Sequence, residues 1–468
     1  MNLGNKLAVS VVCWGDHYNR NLDKYFLGSL LAPGNLPAIH ERIKLFILIA
    51  SPEKDFEQIR AGRNFQALQK FAEIIHLTIP ECPPGVHGCT HMGLGHIKIT
   101  EWAHENGAFL SALPPDMVLS DGLYTTIADK IEEGFCNVYA TCMRCEEESF
   151  IPMVDGFNSK RKNNNPSADP FIVTAGEVVD ATMHCLHSQC VVWDASKGNL
   201  SPFPVAPFWP LIPGKVWRIH SFHWVMLCLD YRNLKDHDQS CLEDWTMDGD
   251  YLFDNFRDLK TYIIRDSAEG IASSWAPAKD RPVVPAAIQN GTDLPSRVAV
   301  RVANATILRN TFRKPIFDKL KRKLFPIPIY WHVDDASILS ATSIDKVLID
   351  TSVEFATIPA RKNLGGLYRL YRTFYRIESG PGLVNERSAK AFGLRSVVRV
   401  TWSSITTPIF ALLHLLWIRN VHHTYRIYGK FRIWVQMAIN AGRFLLRGDI
   451  DLFMLKLRKN LSFFRRRS

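Results

Sequence analysis

Residues 108–113 (AFLSAL) are too few for a helix and too apolar for an exposed segment, and Pro114-Pro115 stop them at once. Before them, Ile99, Trp102 and Ala103 recur at helical spacing and Asn106-Gly107 supplies a helix stop. After them comes Asp116, then Ser120 or Asp121 as a cap for a helix carrying Leu123, Ile127, Ala128 and Ile131 on one side. Helix, buried strand, acidic turn and helix in one unbroken run is the grammar of an α/β fold. An acidic residue just past the carboxyl end of a strand in an open α/β sheet sits where such sheets bind ligands.

Three earlier runs fit the same sheet. Residues 7–13 (LAVSVVC), 44–50 (KLFILIA) and 73–79 (EIIHLTI) are nearly continuous apolar segments, as expected of parallel strands covered on both faces. Helical patterns separate them, so the chain opens as successive βαβ units. Residues 136–142 read as a further strand. The long segment 80–95 reads as a loop in which Gly93-x-Gly95, ahead of a helix, brings backbone amides and Lys98 toward a phosphate.

The order helix, Asn-Gly, apolar strand, Pro-Pro-Asp, Met-Val-Leu-Ser-Asp-Gly, helix resembles the central segment of glycosyltransferases of the GT-A fold, where a strand ends in an Asp-x-Asp motif. The resemblance spans roughly residues 7–255 and implies a Rossmann-type mixed sheet flanked by helices. It also implies a divalent metal, Mn²⁺ or Mg²⁺, holding the diphosphate of a nucleotide sugar. Asp116 matches the second Asp of that motif, and Pro114 stands where the first would be. By the same resemblance Asp16 and Asn19, after the first strand, contact the nucleotide together with Lys98; loop residues capping the first helix are the other reading of Asp16 and Asn19. His220 or His223 resembles the late histidine that completes the metal shell with Asp116. Inverting sugar transfer needs a carboxylate to take the acceptor hydroxyl's proton. Asp248 and Asp250 are the candidates, and Asp250, at a helix start before Tyr251-Leu252-Phe253, matches the family's placement better.

The remaining features set the domain plan. Residues 201–224 combine five prolines with Phe203, Phe208, Trp209, Trp217, Phe222 and Trp224, read either as an aromatic wall lining a sugar cleft or as a packed edge. Ten cysteines without a secretion signal suit reduced thiols; Cys142, Cys145, Cys185 and His187 form a zinc site in one reading and buried thiols in the other. Residues 401–468 carry twelve Lys or Arg against two Asp, a surplus equal to the formal charge of +10 on the whole chain, so residues 1–400 are neutral overall. Basic helices with aromatic apolar faces suit an anionic membrane surface, and no nucleic-acid motif accompanies the charge. The expected plan is a catalytic domain at 1–295, a mainly helical accessory region at 296–400 and basic amphipathic helices at 401–468. The expected protein is a cytoplasmic glycosyltransferase, peripheral at the inner face of the cell membrane, extending a surface glycan or lipid-linked acceptor. A nucleotidyltransferase and a non-catalytic membrane-associated scaffold are the alternatives.

Overall fold

The computed structural model describes residues 4–161, 169–243, 245–247, 249–280, 294–313, 319–335, 343–357, 370, 373 and 374. The chain divides into two units, 1–384 and 385–468, and every described residue belongs to the first. Strand β1 (Lys6–Val12) leads to helix α1 (Asp16–Asn21), β2 (Lys44–Ser51) to α2 (Glu53–Arg60), and β3 (Glu73–Thr78) to α3 (Gly88–Glu105). Strand β4 (Phe109–Leu113) continues through β5 (Met117–Leu119) to α4 (Leu123–Glu132), followed by β6 (Asn137–Ala140), β7 (Arg144–Glu146), α5 (Glu147–Ser159) and α6 (Ala175–His184). The later elements are β8 (Phe208–Ile212), β9 (Val216–Ile219), β10 (Val225–Asp230), α7 (Gly249–Phe256), β11 (Thr261–Ile263), β12 (Ala272–Ala276), α8 (Leu294–Phe312), α9 (Lys319–Leu324), β13 (Ile329–His332) and α10 (Ser343–Thr357).

The main sheet has seven strands in the order β3-β2-β1-β4-β10-β6-β11. All its neighbours pair in parallel except β10, which runs antiparallel to both β4 and β6. The architecture is therefore α/β with a mixed sheet flanked by helices. Alternate residues of β1 enter different cores: Ala8 and Val12 join one that includes Ile99 and Ala103 of α3, while Leu7, Val9 and Val11 join one that includes Tyr124 and Ile127 of α4. Cover on both faces explains why the strand reads as an unbroken apolar run. Two small sheets complete the unit: β5-β12-β7 beside the end of β4, and β8-β9-β13.

Several local expectations are corrected. Helix α3 starts at Gly88, with the His87 side chain accepting from the Cys89 N–H, so Gly93 and Gly95 lie inside the helix. Their role is steric: a Cβ at Gly95 would collide with Val12, and one at Gly93 with the carbonyl oxygens of Leu242 and Trp245. Neither Ser120 nor Asp121 caps α4. Gly122, at φ 90°, takes that position; Ser120 Oγ accepts from the Ile271 N–H at 3.0 Å and Asp121 Oδ1 from the Gly34 N–H at 2.6 Å. Phe208, Trp209, Trp217, Phe222 and Trp224 are all buried, and Phe208 stacks on Trp217 at 4.2 Å, so this stretch is core of the third sheet rather than a wall open to sugar.

The described part of 296–384 is mostly helical but contributes β13, which pairs with β9, and Asn304 donates to the carbonyl oxygens of Ala195 and Lys197 at 2.8 Å each. Residues 401–468 lie outside the described residues. No helix among the described residues is long and apolar enough to cross a membrane.

Candidate active site

In the sheet order, β1 is followed in the chain by β2 and β3 on one side and then by β4 on the other. The direction of winding reverses between β1 and β4, and at such a switch point the loops after the two strands part to leave a crevice. The register keeps the two ends level, with Val11 opposite Leu113 and Val12 opposite Ala50. Asp116 comes off β4 here. Its carbonyl oxygen accepts from the Trp275 N–H at 3.3 Å, which ties it to β12, and the residue as a whole is half-buried.

Burial pushes the Asp116 pKa from 3.8 up to about 6, Arg144 pulls it down, Glu147 pushes it up and His17 pulls it down. A carboxyl raised toward neutrality past the end of a strand is a candidate functional group, and it carries a physical cost because its charged form is held against desolvation. The groups acting on it come from three elements: His17 from α1, Arg144 from β7 and Glu147 from the first turn of α5. His17 Nε2 and Glu147 Oε2 are 3.4 Å apart.

The loop after β1 is braced from α2. Asp55 Oδ1 accepts from the Gly15 N–H at 2.9 Å and from Asn19 Nδ2 at 2.6 Å, and Asn19 also donates to Gln58 at 2.9 Å. Asn19 is thus buried and committed to the scaffold, its oxygen accepting from the Cys13 thiol. Asp16 is exposed beside it and, among the described residues, its side chain accepts one long 3.4 Å bond from Gln58. Asp16 and Asp116 therefore share the crevice edge, and Asn19 shapes it from behind. Lys98 is exposed ten residues into α3, about 15 Å from the helix start at 1.5 Å per residue, and so is not at an amide-rich terminus.

The histidines separate. His220 is fully buried on the third sheet with both ring nitrogens engaged, Nδ1 with the Phe325 carbonyl at 2.9 Å and Nε2 accepting from Arg218 at 3.1 Å. Burial and the Arg218 charge push its pKa down to about 3. His223 is exposed on the turn before β10, at the same sheet edge as Asp116, because antiparallel β10 starts where β4 and β6 end. Ser221 Oγ fixes that turn, accepting from the His223 N–H at 3.1 Å and from Thr141 Oγ1 at 3.1 Å. Asp248 lies outside the described residues, and Asp250 is placed by its backbone in the first turn of α7. That helix begins near the crevice level: the Met247 N–H donates to His96 Nδ1 at 3.1 Å, one residue along α3 from the Gly95 that abuts Val12.

Among the described residues, the side chains at this edge do not assemble a divalent-metal site. Pro114 offers no donor, His220 is occupied elsewhere, and among the described residues no group of three His, Cys, Asp or Glu side chains could hold a metal ion. The same finding overturns a zinc site at Cys142, Cys145, Cys185 and His187. His187 Nδ1 is taken up in capping a short helix, accepting from the Gln189 N–H.

Arg144, Glu147, His17 and Asp55 are absent from the sequence-derived site. The signal for two of them is present in Cys142-Met-Arg-Cys-Glu-Glu-Glu, a charged cluster directly after a buried strand, where the cysteine spacing masks the arginine. No protein-family model matches the chain, and no curated protein matches it.

Proposed function

We propose that this chain is a GT-A-like glycosyltransferase that moves a sugar from a nucleotide-sugar donor to a glycan or lipid-linked acceptor in surface polysaccharide synthesis. The observation that carries the reading is Asp116, a carboxyl with pKa near 6 at the carboxyl edge of the β1/β4 switch point. In this reading the donor's base and ribose lie over the β1 loop at Asp16, and its diphosphate lies at Asp116. Asp250, with Asp248 beside it in sequence, takes the proton of the acceptor hydroxyl as that oxygen attacks the anomeric carbon, and the diphosphate leaves with the bonding electrons of the carbon–oxygen bond it gives up. His223 borders the edge where the leaving group departs. The basic segment 401–468 brings the enzyme to an anionic membrane surface where a lipid-linked acceptor resides, each cation contributing about 1 kcal/mol.

The test is thermal stability against a panel of nucleotide sugars and nucleoside diphosphates. A native-state ligand at about a hundred times its dissociation constant adds roughly 2.7 kcal/mol. A selective upward shift with one nucleotide family supports the reading, and the absence of any shift favours a scaffold that kept the fold without the site. A nucleotidyltransferase would instead bind a nucleoside triphosphate and release pyrophosphate.

A further inference from the structure

Arg144 is held by its backbone and free at its tip. Its N–H donates to Cys190 Sγ at 3.3 Å, its carbonyl accepts from the His187 N–H at 3.0 Å, and across the small sheet it stands in one row with Ser274 and with Met117, the residue after Asp116. The side chain is exposed and, among the described residues, makes no hydrogen bond or salt bridge. Some other arginines of this unit are paired, Arg42 with Asp129 and Glu132, Arg161 with Glu177, Arg218 with Asp350 and Arg232 with Asp230, while Arg20, Arg63 and Arg265, like Arg144, form no salt bridge among the described residues. Acidic neighbours of Arg144 are directed elsewhere, Glu147 to His17 and Glu148 to the Ala278 N–H at 2.9 Å. The guanidinium nonetheless sits near enough to act electrostatically on Asp116, just past the end of β4, and on Cys89, in the first turn of α3.

A diphosphate entering beside Asp116 brings two or more negative charges to a carboxylate, and something must neutralise them. Among the described residues the donors at this edge do not assemble a cation site. The Arg144 guanidinium is a positive charge acting on Asp116, and its planar fork suits two phosphate oxygens at once. We propose that Arg144, in place of a divalent metal, is the residue that holds the diphosphate in the crevice. The proposal rests on the reading that this crevice takes a nucleoside diphosphate.

Calorimetric titration of the full chain with UDP, GDP, CDP and ADP, first in EDTA and then with Mn²⁺ or Mg²⁺, tests it. One nucleotide is expected to bind in EDTA with an affinity within about threefold of that in metal. Arg144→Ala should weaken that binding by 30-fold or more, and Arg144→Lys by less, because the lysine keeps the charge and loses the fork. Unliganded Arg144→Lys should melt with the wild type, since it keeps the charge that acts on Asp116 and breaks no side-chain hydrogen bond or salt bridge among the described residues, and any loss in unliganded Arg144→Ala should be confined to pH above about 6, where Asp116 is ionised. Binding that requires the metal, or binding that Arg144→Ala leaves intact, overturns the proposal while the glycosyltransferase reading stands. No binding of any of the four under either condition overturns both.

Discussion

Replacing Asp116 by Asn should stabilise the protein, and only above the pH at which the carboxyl ionises. The Asp116 pKa is raised from 3.8 to about 6, so the native state holds its proton more tightly than the unfolded chain does. Between those values the folded form binds more protons, stability falls as pH rises, and the full cost is present above pH 6. About two units at 1.36 kcal/mol each set a ceiling of about 3 kcal/mol at pH 7.5, shrinking to about 0.5 kcal/mol at pH 4. Asn keeps the shape and drops the charge, so the variant should recover most of this difference, while the site loses the ionisable group on which the proposed chemistry depends. Urea unfolding of wild type and Asp116→Asn at pH 4, 6 and 7.5, at constant ionic strength, measures it. An Asn variant no more stable than wild type at pH 7.5, or a gain equal at pH 4 and 7.5, refutes the reasoning, because desolvation of a charge would then not be what perturbs this residue.

Gly95→Ala should destabilise by about 1–3 kcal/mol despite the better helix propensity of alanine, since the added methyl meets Val12; the double variant Gly95→Ala/Val12→Ala should do better than the sum of the two single losses when measured by urea midpoint. Asp250→Asn should lower turnover by 10²–10⁴-fold while leaving nucleotide affinity within a few-fold, read from steady-state rates alongside calorimetry. Deleting residues 401–468 should release the protein from vesicles containing anionic lipid, and the full chain should detach as salt rises; equal sedimentation of both forms would contradict the membrane assignment.

Most of the parallel half of the sheet is legible in the sequence because it is covered on both faces. Residues 7–13, 44–50 and 108–113 become β1, β2 and β4 with ends shifted by no more than a residue, as expected of short, continuous apolar runs, and residues 73–79 become the edge strand β3, half-buried yet still rich in Ile and Leu. Glycine misleads where packing overrides propensity: Gly93 and Gly95 look like loop, yet they are what lets α3 lie against β1 and the backbone of Leu242 and Trp245. The prolines and aromatics of residues 201–224 look like a binding surface and are instead the interior of a small sheet whose third strand, β13, comes from more than a hundred residues later. Asp116 can be found because Pro114-Pro115 end a strand just before it. Arg144 and Glu147 stand out locally only as a charged cluster after a strand; that they meet Asp116 depends on β7 and β5 lying on either side of β12, a long-range pairing that the run itself does not signal.

Release of free nucleoside diphosphate from a panel of nucleotide sugars by the purified full chain, with Asp116→Asn as the control, tests the central claim most directly. The account predicts that the wild type consumes one donor and yields its nucleoside diphosphate, and that the variant is slower by at least tenfold. Equal rates in the two proteins, pyrophosphate released from a nucleoside triphosphate, or no turnover of any donor in the presence of acceptor lipid would contradict it.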